Sequence, residues 1–265
     1  MAATFEVSNI RPRELVQEHR GDEYLPGEPK RPFGVDFEII GMSSVPELTP
    51  DGWPAQFPWN YDRSELVADA LIHAIGVGLG LLGGVVLVVH AVQTTHGSIT
   101  AAVSIYAVGL IAMLGISAAY NVYPVCRTKW LLRRLDHSAI YVLIAATYTP
   151  FLATTEPTMG SAGLLVAVWL VAIGGVLLKL LWPGRFDRLS VALYLLLGWA
   201  AAAAYPVMAT LPSSTLWLIA AGGVLYSTGV AFHLWQSLRF QNATWHAFVL
   251  VAAGCHYTAV LDCLP

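Results

Sequence analysis

Glu65, Asp69 and His73 stand at i, i+4 and i+8, a spacing that lines three ionisable side chains along one helix face over two turns. Ser117 and Asn121 repeat the four-residue step, Asp136 and His137 are adjacent, and Asn242 and His246 again lie four apart, with His256 ten residues further on. Carboxylates and imidazoles can relay protons or hold a divalent metal. Serine and asparagine add hydrogen bonds to a water, a headgroup or each other. All these residues fall inside or at the border of long apolar runs, where an ionisable group is costly and marks a functional candidate.

The elements that must position them are membrane helices. The 265-residue chain is 56% hydrophobic and 12% charged, with a mean hydropathy of +0.61, whereas an ordinary soluble domain carries about 25% charge. Apolar runs near 67–92, 99–122, 137–155, 161–182, 189–210, 215–235 and 245–262 approach the roughly 20 residues needed to cross a bilayer. They predict an all-α membrane protein, a seven-transmembrane helix bundle. Glycines within the first run, "AIGVGLGLLGG", predict close helix packing through small residues. The halves show no internal repeat.

Loop charge sets the expected orientation. Arg127, Lys129, Arg133 and Arg134 follow span two, Arg185 and Arg188 follow span four with Lys179 close by, and Arg239 follows span six. The loops after spans one, three and five hold no Lys or Arg. Basic loops stay in the cytoplasm, so the N-terminus is expected inside and the C-terminus outside, the reverse of a G-protein-coupled receptor. In that topology Glu65, Asp69, His73, Ser117, Asn121, Asp136, His137, Asn242 and His246 converge from four helices on the cytoplasmic half of the membrane. His256 lies about 15 Å deeper than His246 along its helix, a candidate second-level hydrogen-bond partner. His90 and His233 read as packing residues.

Residues 1–62 hold 11 acidic against 5 basic side chains, and the remainder 6 against 9. The first part reads as an acidic, largely irregular cytoplasmic arm without the apolar core of a signal peptide, ahead of a membrane domain at 63–265. "GWPAQFPWNYDR", just before the first span, reads either as an interfacial aromatic belt or as a Pro-locked loop packed on the bundle. Cys126, Cys255 and Cys263 form no thiolate metal pattern, and the last two, about 12 Å apart along one helix, are too distant for a disulfide. Asp136 reads equally as a member of the polar set or as the N-cap of span three. Pro150 in "TYTPF" predicts a kink whose freed carbonyl the neighbouring threonines help to satisfy.

Three stretches carry a family resemblance: "LLRRLDHSAIYVLIAATYTPF" (131–151), "ELVADALIHAIG" in the first span and "HAFVLVAAGCHYTAV" in the last. The chain resembles the hemolysin III family, the bacterial branch of the progestin and adipoQ receptor family, over about residues 63–262. The resemblance implies a zinc ion near the cytoplasmic ends of spans two, three and seven. Its ligands would be a His four residues after a Ser in span two and two His at i, i+4 in span seven, with an Asp of span three on the zinc-bound water. Ser117, Asp136 and His246 match that pattern, but Asn121 and Asn242 occupy the other two His positions. A neutral amide oxygen replaces imidazole poorly on zinc, so the first shell is disrupted and only weak zinc binding is expected from it.

Two main readings follow. One is a non-catalytic membrane protein whose polar cluster senses or holds a lipid or another amphiphile. The other, implied by ceramidase-like relatives, is a zinc-dependent lipid amidohydrolase with Asp136 and Ser117 in catalysis and substitute ligands drawn from Asp136, His137 or His73. A cytolytic role, suggested by the family name alone, ranks below both, and a proton relay along Glu65, Asp69, His73 and His256 lacks a continuous path across the bilayer. The bilayer is the expected partner, and no nucleic acid is expected.

Overall fold

The computed structural model describes residues 48–265 apart from Asp51, Gln56 and Pro58, so most of the acidic arm expected at 1–62 lies outside the described residues. The described residues form nine helices: α1 (Arg63–Thr94), α2 (Gly97–Val122), α3 (Arg127–Thr154), α4 (Met159–Leu181), α5 (Asp187–Gly198), α6 (Ala200–Ala203), α7 (Tyr205–Met208), α8 (Ser213–Leu234) and α9 (Gln241–Asp262). Of these, α1, α2, α4, α8 and α9 are long and apolar enough to cross a membrane.

Helix α1 starts at a capping box. The Asp62 side chain accepts from the amides of Ser64 (2.7 Å) and Glu65 (2.9 Å), while Glu65 Oε2 accepts from the Asp62 amide (2.9 Å). The Glu65 amide, then that of Ser64, and the Arg239 guanidinium hold the Asp62 carboxyl below the usual carboxylate range. Along α1 the residues separate by size. Leu71, Leu82, Val85 and Val92 are exposed, the face a bilayer would cover, whereas Gly76, Gly80 and Gly84 are buried. A Cβ at Gly80 would stand 2.5 Å from Leu114 Cδ1, and one at Gly84 2.8 Å from Ile111 Cδ1. The glycine stripe thus lets α1 approach α2, as its composition predicts.

Contacts run in a ring: α1 on α2, α2 on α3, α3 on α4, α5 against α3, α4 and α8, α8 on α9, and α9 back on α1. Helix α3 also touches α9 and buries Tyr141, Leu143, Ala145, Ala146 and Phe151, so it forms the middle of the core.

Three expectations need correction. Helix α3 begins at Arg127 and not near 137, which places Asp136 nine residues inside it and removes the N-cap reading; the cap position belongs to Cys126. Pro124 ends the extension of α2, and the chain resumes helix directly after the short turn. The fifth apolar run is not one helix: it breaks at Trp199 and Ala204 into α5, α6 and α7. Gly198 and Pro206 flank these breaks, and both weaken a continuous helix. The Tyr148 hydroxyl repairs the first break by donating to the carbonyls of Leu197 (2.9 Å) or Gly198 (3.2 Å) and accepting from the Ala201 amide (2.7 Å). Finally, α3 continues through Pro150, and the correction there concerns the threonines. Its neighbours Thr147 and Thr149 bond the carbonyls of Leu143 and Ala145, not the one at Ala146 that the proline leaves without an amide.

The stretch before α1 takes the packed-loop form. Trp53 is buried edge-on against Trp59 and Trp130, and Phe57 stacks on Trp130. Cys126, Cys255 and Cys263 are free thiols.

Candidate functional site

The site is built where α1, α2 and α9 meet. Asp69 is 4% exposed and accepts from two residues of α9: His246 Nδ1 donates to Oδ1 at 2.6 Å, and Asn242 Nδ2 donates to Oδ2 at 3.0 Å. Asn242 Nδ2 also donates to Asn121 Oδ1 at 3.0 Å, and Asn121 Nδ2 donates to the Ser117 carbonyl at 2.9 Å. One continuous hydrogen-bond chain therefore links three helices around a single buried carboxylate. In an apolar setting such a network rigidifies the fold only if every member is partnered. One member is not: His73 Nε2 is buried without a hydrogen bond, 3.6 Å from Asp69 Oδ2. The His73 and His246 rings lie 4.3 Å apart between centroids.

The other expected site residues divide. Ser117, Asp136 and His246 share the wall of a cavity of about 130 Å³. His256 lines the same cavity, with Nε2 3.3 Å from the Ile219 carbonyl. The rest of the wall is chiefly apolar and comes from several helices, including Ile140, Ile144, Tyr148, Trp199 and Val249. Two expected members stand elsewhere. Glu65 serves the α1 cap and accepts from the Phe240 amide at 2.8 Å, fastening the start of α9 to α1. His137 turns Nδ1 to the Arg133 carbonyl at 2.8 Å within its own helix. Among the described residues, Asp69, His73 and His246 are the group of His, Cys, Asp and Glu whose ligand atoms lie within 4.8 Å of one another, and Asp136 and His137 stand outside that group. His90 belongs to no part of the cluster, and His233 packs its ring on Trp245 at 5.1 Å with Nδ1 unpartnered.

Sequence reading missed two features. Lys129, counted with the cytoplasmic loop, is fully buried: Nζ donates to the carbonyls of Tyr120 (2.8 Å), Asn121 (3.3 Å) and Tyr123 (2.7 Å) and lies 3.5 Å from the centroid of the Trp59 ring. It thereby fixes the last turn of α2, which carries Asn121. Asp187 bridges Arg133 (2.7 Å) and Lys179 (2.6 Å), tying α3, α4 and α5 together beside the site.

The donor set at the positions implied by the resemblance does not suit zinc. Asn121 and Asn242 spend their amide hydrogens on the chain of bonds just described and pair with each other, leaving His246 as the one imidazole of the three. Those positions form a hydrogen-bonded junction.

Comparison with known proteins accords with this architecture. The family profile for "Haemolysin-III related" proteins matches residues 63–257. The chain is 38% identical over 200 residues to the Hemolysin-3 homolog of Bacillus subtilis (strain 168), covering 74% of this chain and 93% of that protein. It is 36% identical over 198 residues to Hemolysin-3 of Bacillus cereus, covering 74% and 90%. Monocyte to macrophage differentiation factor of Homo sapiens matches at 30% over 164 residues, 59% of this chain and 67% of that protein. With apolar helices that imply a bilayer and a profile match across the helical domain, the chain belongs to the haemolysin-III related family of membrane proteins.

Proposed function

We propose that this protein is a non-catalytic, seven-span member of its family that holds a lipid or similar amphiphile, its acyl part in the apolar cavity and its polar head against Ser117, Asp136 and His246. A cytoplasmic arm, residues 1–62, precedes the membrane domain at 63–265. Helix α3 and the segmented α5–α7 supply the two spans beyond the five that length and apolarity identify. The basic residues between the apolar runs, those at the start of α3 included, support a cytoplasmic N-terminus and a polar cluster on the cytoplasmic side of the cell membrane.

The observation that carries the reading is the Asn121–Asn242 amide pair near a mostly apolar cavity whose wall includes Ser117, Asp136 and His246. Concave apolar sites with a few convergent polar groups suit amphiphilic ligands. The same amide pair removes two imidazoles that a metal hydrolase would need to activate water. The alternative, a zinc-dependent lipid amidohydrolase, draws its support from the shared cavity wall of Ser117, Asp136 and His246. Lysis, suggested by the name Hemolysin-3 of the relatives, ranks last, because the described helices bury their polar groups inside a bundle.

Filling the cavity tests the reading. A fluorescent fatty acid should bind saturably to the protein in lipid nanodiscs, and Ile144→Trp, which adds bulk to the cavity wall, should weaken that binding at least tenfold while the protein stays monodisperse. Binding that is non-saturable, or equal in the variant, would remove the proposal.

A further inference from the structure

We infer that Asp69, His73 and His246 form a binding site for one borderline-soft divalent metal ion, of the zinc or cobalt(II) class, at the seam between α1 and α9. The site shares His246 with the positions that the family resemblance implies, but takes its other two ligands, Asp69 and His73, from a helix that contributes none there. It also goes beyond the amphiphile reading, which needs no metal.

Four observations support it. The three side chains are at least nine-tenths buried, at 4%, 5% and 9% exposure, and their ligand atoms lie within 4.8 Å of one another. Two imidazoles and one carboxylate are three strong protein ligands of the kind that zinc takes, leaving a fourth position open. Asp69 and His73 are four residues apart on one helix, which brings both to the same face. Ligands about 2.1 Å from a tetrahedral ion stand about 3.4 Å from each other, and His73 Nε2 is 3.6 Å from Asp69 Oδ2.

The second, independent pointer to a ligand is His73 Nε2 itself, a buried nitrogen directed at the carboxylate with no hydrogen-bond partner. Buried polar atoms are almost always paired, and a metal would pair this one. Beside His73 and His246 lies a second cavity of about 20 Å³, bordered by Ser117, Met113 and Leu114, enough for about one water as fourth ligand. Asn242, donating to Asp69 Oδ2, supplies the outer hydrogen bond that orients a metal-bound carboxylate.

In the metal-free cluster His246 Nδ1 and Asp69 Oδ1 share a hydrogen bond. The ion takes the Nδ1 lone pair and the carboxylate oxygen, and a neutral imidazole then carries its one proton on Nε2, so no net proton release is required. The bound ion clasps α1 to α9 and compensates a carboxylate that is otherwise buried among apolar helices.

The test uses full-length protein in detergent, purified without metal columns, stripped with chelator and dialysed free of it. Titration with zinc should saturate at one ion per chain. Cobalt(II) on the wild-type protein should give the intense visible bands of four-coordinate nitrogen and oxygen ligation. His73→Gln should weaken zinc at least tenfold, whereas Asn121→Ala should keep its affinity within threefold. The inference is overturned by the absence of saturable zinc, by a weak octahedral cobalt spectrum, by undiminished affinity in His73→Gln, or by equal loss in Asn121→Ala. Fatty-acid binding measured on the same samples separates the two proposals: a protein that binds fatty acid saturably but no zinc removes this inference alone.

Discussion

Asp69→Ala is expected to lower the unfolding free energy by about 3 kcal/mol, the largest loss for any single change in the polar cluster. The substitution removes the acceptor of both the His246 and the Asn242 hydrogen bonds and leaves these groups, with His73, facing one another in a dry seam. Asp69→Asn keeps one carbonyl oxygen and nearly the same shape, so it should cost about 1 kcal/mol, the worth of one net hydrogen bond. Thermal unfolding in detergent should rank the three proteins wild type, Asn, Ala, with a drop of roughly 6–12 °C for Ala. Equal midpoints for Ala and wild type would show that the carboxylate is not the hub of the cluster.

The second large effect is expected at Lys129. Its ammonium makes charge-assisted bonds to three carbonyls at the end of α2, bonds that contribute about 1.5–3 kcal/mol each before burial of the charge is offset against them. Lys129→Met keeps the aliphatic stem in its slot and deletes the donors. A net loss of about 2 kcal/mol is expected, together with faster hydrogen exchange confined to the amides around Asn121–Cys126. Because Asn121 sits on that turn, the variant should also loosen the amide pair with Asn242. Unchanged exchange would mean that the α2 terminus is held by packing alone.

Both residues show how far the sequence could be read. Asp69 is visible as an intramembrane carboxylate on a stripe with Glu65 and His73. The stripe does not reveal that Asp69 and His73 face α9 while Glu65 closes a cap and holds the Phe240 amide. Spacing of four gives a common face, not the identity of the neighbouring helix. Lys129 was legible only as loop charge, since hydropathy cannot tell a lysine in water from one folded back onto helix carbonyls. The apolar runs were clear because bilayer length demands them. The break at Trp199 and Ala204 was not, because its repair comes from Tyr148, 49 residues earlier than the carbonyl it bonds. The cavity was illegible for a related reason: its wall gathers single apolar residues from several helices, none unusual in its own run. The exchange of histidine for asparagine at 121 and 242 was visible through the resemblance. What the structure adds is that the two amides bond each other, so the positions form a shared junction and are not two separate losses.

That junction bears most directly on the proposed role, holding an amphiphile without cleaving it. The decisive measurement is mass spectrometry of the reconstituted protein after incubation with a short-chain lipid amide and zinc. The account predicts one intact amphiphile recovered per chain, with its amide bond unbroken. Steady release of fatty acid and amine over many turnovers, abolished by Asp136→Asn, would contradict it.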